Sequence, residues 1–315
     1  MLVTGCAGFI GSHLADFLLA EGHTVVGIDN FDPFYDRSIK TQNLAGLLAQ
    51  NRFKFYENDI TDEVFWANFS ENIEVVVHLA AKAGVRPSLE NPSNYINTNI
   101  NGTQLLLGWM VRRNVKKLAF ASSSSVYGNN EKAPFSESDS VDNPISPYAF
   151  TKKAGELLNH TYHHLYGLDI INLRFFTVYG ERQRPDLAIH KFTKLMLAQQ
   201  PISMYGTGST ARDYTYVADT VQGIVGAVSY LRQHQNVFDT INLGNSSPVT
   251  LQQLVDTLYE LTEQTPNIHY LPMQPGDVER TCADVQKAKQ VLGYNPQTPL
   301  HEGLKRFVNW YKANH

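Results

Sequence analysis

Short runs of consecutive apolar residues alternate with stretches whose apolar positions fall three and four apart. The runs at 1–4, 24–28, 53–56, 75–79, 118–121 and 170–175 are rich in Val, Ile, Leu and Phe. They predict strands buried on both faces. Between them, 12–20 places Leu14, Phe17 and Leu18 on one face, and 147–166 keeps a helical period. Strand and helix in strict alternation predict a doubly wound, parallel-sheet α/β fold. After Gly180 the rhythm breaks, with Pro185, Pro201, Gly206 and Gly208 punctuating a loop-rich stretch. A helix over 217–231, a strand over 240–243 and a Pro-rich C-terminal part follow, which predicts a smaller lobe over the carboxyl edge of the sheet. No internal repeat or low-complexity segment is evident.

The first candidate chemistry lies in the first turn. Gly5-Cys6-Ala7-Gly8-Phe9-Ile10-Gly11 joins a predicted strand to a predicted helix with GxxGxxG spacing. Glycines there permit a tight turn and let backbone N–H groups approach a pyrophosphate at the positive helix end. Asp29 ends the second strand, where a carboxylate binds ribose hydroxyls and repels a 2′-phosphate, which predicts NAD over NADP. Asp59 closes the third strand as a candidate acceptor for the adenine amino group. His78-Leu79-Ala80-Ala81 ends the fourth with small residues that leave room for a cofactor, or only for packing.

A second group carries acid–base chemistry. Tyr148 and Lys152 are four apart, so both project from one helix face. A phenol of pKa about 10 is ~0.1% ionised at neutral pH. Lowering that pKa by about three units takes ~4 kcal/mol, which a nearby ammonium and a positive nicotinamide in a partly dry cleft supply. Tyr148 then serves as a general base. Ser122-Ser123-Ser124-Ser125 end the fifth strand, where hydroxyls bridge a substrate oxygen to the tyrosine, or form a polar turn.

Composition narrows the field further. The chain has 315 residues, 43% hydrophobic and 18% charged, far from disordered or coiled-coil composition. A chain of this length buries roughly 75% of its unfolded surface. The net charge of −4 comes without a basic run, so no nucleic-acid partner is expected. Cys6 and Cys282, the two cysteines, match no metal spacing, and the eleven histidines form no metal pattern. His163 and His164, at a predicted helix end, are expected to interact with its dipole. No apolar run reaches the ~18 residues that span a bilayer, and the first residues lack a leader pattern. The expectation is a soluble cytoplasmic protein that meets no membrane.

Taken in order, these motifs resemble the extended short-chain dehydrogenase/reductases, and within them the nucleotide-sugar epimerases. The residues that carry the resemblance are TGCAGFIGSH at 4–13, Val126-Tyr127-Gly128 after the serines, Tyr148 with Lys152, and LRFFTVYG at 173–180. Tyr205-Gly206 with Gly208, Arg212-Asp213-Tyr214, and Gln274-Pro275-Gly276-Asp277-Val278 with Arg280-Thr281 complete the set. Phe34-Tyr35-Asp36, Ala83-Gly84-Val85-Arg86, Arg184-Pro185-Asp186 and the PGDV segment are most similar to UDP-glucuronate 4-epimerases.

The resemblance implies a Rossmann fold, with 1–176 and 213–245 binding NAD and 177–212 and 246–315 forming the nucleotide-sugar lobe. It implies cofactor contacts from Gly5, Gly8, Phe9, Ile10, Gly11, Asp29, Asn30, Asp59, Ile60, Leu79, Ala80, Ala81 and Asn99, besides Tyr148 and Lys152. Ser123, Tyr148 and Lys152 are the implied catalytic set. The implied reaction is C4 epimerisation of a UDP-sugar, most closely UDP-glucuronate, through a 4-keto intermediate. Arg86, Ser124, Ser125, Thr177, Arg184, Tyr205, Arg212 and Arg280 are the implied sugar-nucleotide contacts, with Arg212 and Arg280 at the diphosphate. A homodimer built on helices around 103–113 and 149–166 is implied as well.

Ser124 and Ser125 stand where related 4,6-dehydratases carry Asp-Glu and decarboxylases carry Glu, which argues against both reactions. Retained Tyr148, Lys152 and Ser123 argue against a catalytically dead cofactor-binding regulator. Four departures from the pattern stand out: a very short lead into the first strand, Lys82 where Gln is common, Pro87 where an aromatic is common, and Gly180-Glu181-Arg182-Gln183-Arg184. The last is expected to place two extra charges beside the sugar pocket. That leaves a neutral UDP-glucose or UDP-N-acetylglucosamine as the alternative substrate.

Overall fold

The computed structural model describes residues 1–272 and 279–315. Six strands alternate with helices through the first part of the chain: β1 (Leu2–Thr4), β2 (Val25–Asp29), β3 (Phe53–Glu57), β4 (Val75–His78), β5 (Lys117–Ser123) and β6 (Asp169–Phe175). The chain then leaves the sheet for β7 (Thr177–Tyr179), β8 (Ile202–Tyr205) and β9 (Ala211–Tyr216). It returns as β10 (Phe238–Leu243) and ends with β11 (Pro248–Thr250) and β12 (Ile268–Leu271) among helices.

The main sheet has the order β10-β6-β5-β4-β1-β2-β3, with every pairing parallel. The winding reverses between β1 and β4, and ligands bind at the carboxyl ends of the strands at such a switch point. The period-two geometry of a strand explains the continuous apolar runs. In β4, Val75 and Val77 enter one core layer and Val76 the other. Leu118 and Phe120 of β5 pack with Trp66 and Trp109, while Ala119 packs on the opposite side. A third cluster, with Ile189, Leu254, Leu258, Leu304 and Phe307, lies under the small sheets β11-β9-β7 and β12-β8.

Two helices position the candidate site. Pro147–Tyr166 begins on Ser146, whose side chain accepts from the Ala149 N–H at 3.1 Å, carries Pro147 in its first turn and stops on left-handed Gly167. Near its C-terminus His163 bonds the Leu168 carbonyl at 2.7 Å. The first helix is Phe9–Ala20, three residues longer at its start than the pattern at 12–20 suggests. Gly8 caps it, so Phe9 and Ile10 occupy the first turn, where N–H groups have no intrahelical acceptor.

Candidate active site

The carboxyl ends of β1, β4 and β5 open into a groove of about 510 Å³ between the sheet and the segments at 175–178 and 184–187. Gly5 lies at its floor with φ of 72°, and a Cβ there would sit 2.9 Å from the Ala80 nitrogen on the neighbouring strand end. At Gly11 a Cβ would lie 2.1 Å from the Gly5 carbonyl oxygen. The turn therefore folds on itself more closely than any side chain permits, presenting bare backbone at a helix N-terminus. With Gly8, Phe9, Ile10, Leu79, Ala80 and Ala81 also on its wall, the groove fits a dinucleotide diphosphate.

Cys6 within the turn is fully buried, and burial followed by the charge of Asp29 pushes its thiol far up. The folded chain is expected to keep Cys6 unalkylated by iodoacetamide, with labelling only after denaturation. Mass spectrometry of the labelled peptide checks this, and labelling in the folded state would contradict the closed turn.

Asp29 ends β2, and its carboxylate accepts from the N–H groups of Ala7 at 3.2 Å and Phe31 at 2.9 Å. It also meets buried Lys40 at 3.3 Å, a partner that no local spacing announces. Asn30 and Ile60 line the groove. Asp59 sits just behind, accepting from the Asn30 side chain at 2.6 Å and from Thr61. Burial raises its carboxyl, but these hydrogen bonds and the charge of Lys82 outweigh that and hold it low.

Behind the strand ends runs a one-way chain of hydrogen bonds. The Ala80 N–H donates to the Thr4 hydroxyl at 3.1 Å, and Thr4 lies 2.7 Å from His78 Nδ1. His78 Nε2 lies 3.1 Å from the Thr103 hydroxyl, which donates to the Asn99 carbonyl at 2.7 Å. Thr103 has thus spent its proton and must accept, so His78 carries its proton on Nε2. Burial, and then the charge of Lys152, pushes His78 down to about 3, so it stays neutral and structural. Asn99 sits in a π-helical turn, Asn97–Asn101, of a kind common at functional sites. Its amide ties both backbone groups of Lys82, at 2.8 and 2.9 Å, to the Thr151 hydroxyl at 3.0 Å.

The acid–base group meets at the far end of the groove. Ser123 and Tyr148 line it with Lys152, Ser124, Ser125, Thr177 and Arg184. Burial raises the Tyr148 phenol, while the Ser123 hydroxyl and the Arg184 charge pull it down, and the net direction is up. The lowering expected from sequence draws on the positive nicotinamide as well as on Lys152, and the protein groups by themselves leave the phenol raised. The Lys152 ammonium bonds the Ala121 carbonyl at 2.7 Å and lies 6.0 Å from the Tyr148 ring centre. Burial pushes Lys152 down to about 8, opposed by Glu156 one turn on. Tyr95 meets the Tyr148 ring edge-on at 6.3 Å and donates to the Ala83 carbonyl at 3.1 Å.

Strand alternation sends Ser122 the other way, to Glu156 Oε1 at 2.6 Å. The Arg174 guanidinium grips both Glu156 oxygens at 2.9 Å and donates to the Tyr127 hydroxyl at 3.0 Å, which in turn donates to Asn242 at 2.7 Å. Tyr127 and Arg174, singled out as motif residues, therefore form a buried frame behind Lys152.

The two extra charges of the Glu181-Arg182 segment do not face the sugar end. The Glu181 carboxylate accepts from the Tyr216 hydroxyl at 2.8 Å, its carbonyl lies 2.8 Å from His13 Nε2, and Arg182 pairs with Asp16 at 2.7 Å. A left-handed backbone at Arg182, with φ of 60°, turns these side chains toward the helix Phe9–Ala20. Arg184 alone enters the groove, forked on Asp186 at 2.7 and 3.0 Å and lying over Phe34. Arg86, Tyr205, Arg212 and Arg280 are not part of the groove wall. Arg86 stacks over Tyr205 at 5.6 Å, and Arg280 forms a parallel bridge with Ala211, the residue before Arg212. The Gln274-Pro275-Gly276-Asp277-Val278 segment lies outside the described residues.

Comparison with known proteins adds four findings. Residues 2–307 match the protein family described as GDP-mannose 4,6 dehydratase. A UDP-glucuronate 4-epimerase of Thermodesulfobacterium geofontis is 45% identical over 316 residues, covering 99% of this chain and 96% of that protein. The crystal structure of the UDP-glucuronic acid 4-epimerase from Bacillus cereus, in complex with UDP-glucuronic acid and NAD, superposes with a TM-score of 0.92 at 36% identity. It covers 100% of this chain and 99% of the other. A UDP-glucose 4-epimerase from Thermotoga maritima, with UDP-glucose, gives a TM-score of 0.88 at 34% identity over 99% and 98% of the two chains.

Proposed function

The chain belongs to the GDP-mannose 4,6-dehydratase family, among its extended short-chain NAD-dependent UDP-sugar 4-epimerases, and from that premise we propose that its own substrate is UDP-glucuronate, converted to UDP-galacturonate. The observation that carries this reading is the wall of Ser124, Ser125, Thr177 and Arg184 facing Tyr148. Three hydroxyls and a guanidinium suit a carboxylate better than a neutral hydroxymethyl group.

Bound NAD supplies the acceptor and later the donor of the C4 hydride. Gly5, Gly8, Phe9, Ile10 and Gly11 cradle its diphosphate, Asp29 takes a ribose, and Asn30, Asp59 and Ile60 flank the adenine. Leu79, Ala80 and Ala81 leave space along the strand ends, and Asn99 shapes the turn beyond them. Tyr148 removes the C4 hydroxyl proton and returns it, Ser123 holds that oxygen, and Lys152 supplies the charge that favours the phenolate. A 4-keto uronate is a β-keto acid prone to lose carbon dioxide, and holding its carboxylate in the sugar plane through Ser125 and Thr177 resists that loss. Tyr205, Arg212 and Arg280 belong to the nucleotide end, in a lobe formed by 177–212 and 246–315, and Arg86 reaches Tyr205 from the cofactor half. The cofactor half is 1–176 with 213–245.

A second reading, a neutral UDP-hexose, draws on one observation: Asp186 already occupies the fork of Arg184. Incubation with UDP-glucuronate and no added NAD, followed by sugar-nucleotide chromatography, separates the two. UDP-galacturonate without UDP-pentose is expected. Turnover of UDP-glucose alone would move the assignment to the hexose. Thr177→Ala is expected to release UDP-pentose or to raise KM for the uronate at least tenfold.

Phe150 and Leu157, 46% and 57% exposed, form an apolar stripe on the helix Pro147–Tyr166. With exposed Leu89 and Ile96 nearby in the fold, this stripe supports a homodimer. No helix among the described residues is long and apolar enough to cross a membrane. Two buried, unpaired cysteines fit a reducing cytoplasm.

A further inference from the structure

Among the described residues, the Lys82–Asp32 ion pair joins two walls of the cofactor groove. β1 lies between β4 and β2 in the sheet, and the loops that leave those two neighbours meet through Lys82 and Asp32. The Lys82 ammonium contacts Asp32 Oδ2, and both side chains line the groove. The pair therefore joins the two walls that flank the glycine turn ending β1.

Both anchorages are stiff. Asn99 holds the Lys82 backbone from both sides and is itself held by Thr151 of the catalytic helix. On the other wall, Phe31 adopts a left-handed backbone with φ of 50°, which turns the chain back after Asp29. Asp32 donates its N–H to the Asn30 side chain at 2.9 Å and accepts from the Phe34 N–H at 3.0 Å, while Asn30 is tied to Asp59. The flexible Lys82 stem is the movable part of an otherwise fixed ring.

We propose that the Lys82–Asp32 pair is a latch that closes over the dinucleotide diphosphate, so that cofactor leaves only when the pair opens. The inference rests on the NAD-dependent reading of the groove.

The test measures the rate at which NAD leaves the purified protein, by rapid desalting at timed intervals, acid release and chromatographic quantification. Lys82→Gln and Asp32→Asn are each expected to lose NAD at least tenfold faster than the parent. The double variant should be no faster than the singles, Lys82→Arg should retain the cofactor, and added salt should speed release from the parent alone. Parental release rates in both single variants would overturn the latch. Faster loss from Lys82→Gln with slower loss from Asp32→Asn would also overturn it, because the ammonium would then be holding phosphate directly while Asp32 competes. A parent chain that takes up no NAD would instead overturn the cofactor reading, and the latch with it.

Discussion

Tyr148→Phe is expected to lower kcat for UDP-glucuronate by about 10³-fold, within the range that a positioned general base contributes, while bound NAD and overall stability stay unchanged. The phenol lines the groove half-buried, with Tyr95 packed edge-on against its ring, so removing one oxygen leaves that packing in place. What disappears is the phenolic hydroxyl that meets Ser123 in the groove, the proposed acceptor of the C4 proton. Ser123 cannot substitute, because a serine hydroxyl does not ionise near neutral pH. Single-turnover measurement with the NAD-loaded protein isolates the chemical step. A loss of tenfold or less would show that another group removes the proton.

Glu156→Leu is expected to destabilise the fold by about 3–5 kcal/mol, the usual effect of leaving one partner of a buried ion pair uncompensated. Arg174 and Glu156 are both nearly inaccessible, and Arg174 would keep only its bond to Tyr127. Ser122 would lose its acceptor as well. Urea denaturation measures the loss, and pairing it with Arg174→Met should recover much of it, since replacing both charges leaves no orphan. A loss below about 1 kcal/mol would mean that water reaches the frame. Glu156→Gln isolates the effect of charge. Lys152 sits at about 8 with Glu156 favouring its ammonium form. Without that anion Lys152 deprotonates at lower pH, so the alkaline fall in kcat/KM should move to lower pH. An unmoved profile would show that Lys152 is insulated from Glu156.

The parts of this molecule that announce themselves in sequence are those held by local rules. Ser146, Pro147 and Gly167 delimit the catalytic helix because capping and backbone preference act within a few residues. The glycine turn is legible for the same reason, although its helix begins at Phe9, since Gly8 itself serves as the cap. The Arg174–Glu156 frame and the Lys82–Asp32 pair join residues 18 and 50 positions apart, and no periodicity encodes such meetings. Glu181 and Arg182 show a related difficulty. Their charges are evident in sequence, but their direction depends on a left-handed backbone at Arg182 and on partners in the first helix. The Tyr148 phenol is harder still, because its net displacement follows from the depth of burial.

Glu181 and Arg182 rivet together stretches of chain that lie far apart in sequence. Three polar contacts, to Tyr216, His13 and Asp16, fasten the start of the substrate segment to the first helix. Moving 181–182 away from these partners would break all three together, so the joint yields only as a unit. None of the five residues in that joint lines the groove, so the wall that carries Thr177 and Arg184 is fastened without engaging a group that faces the site.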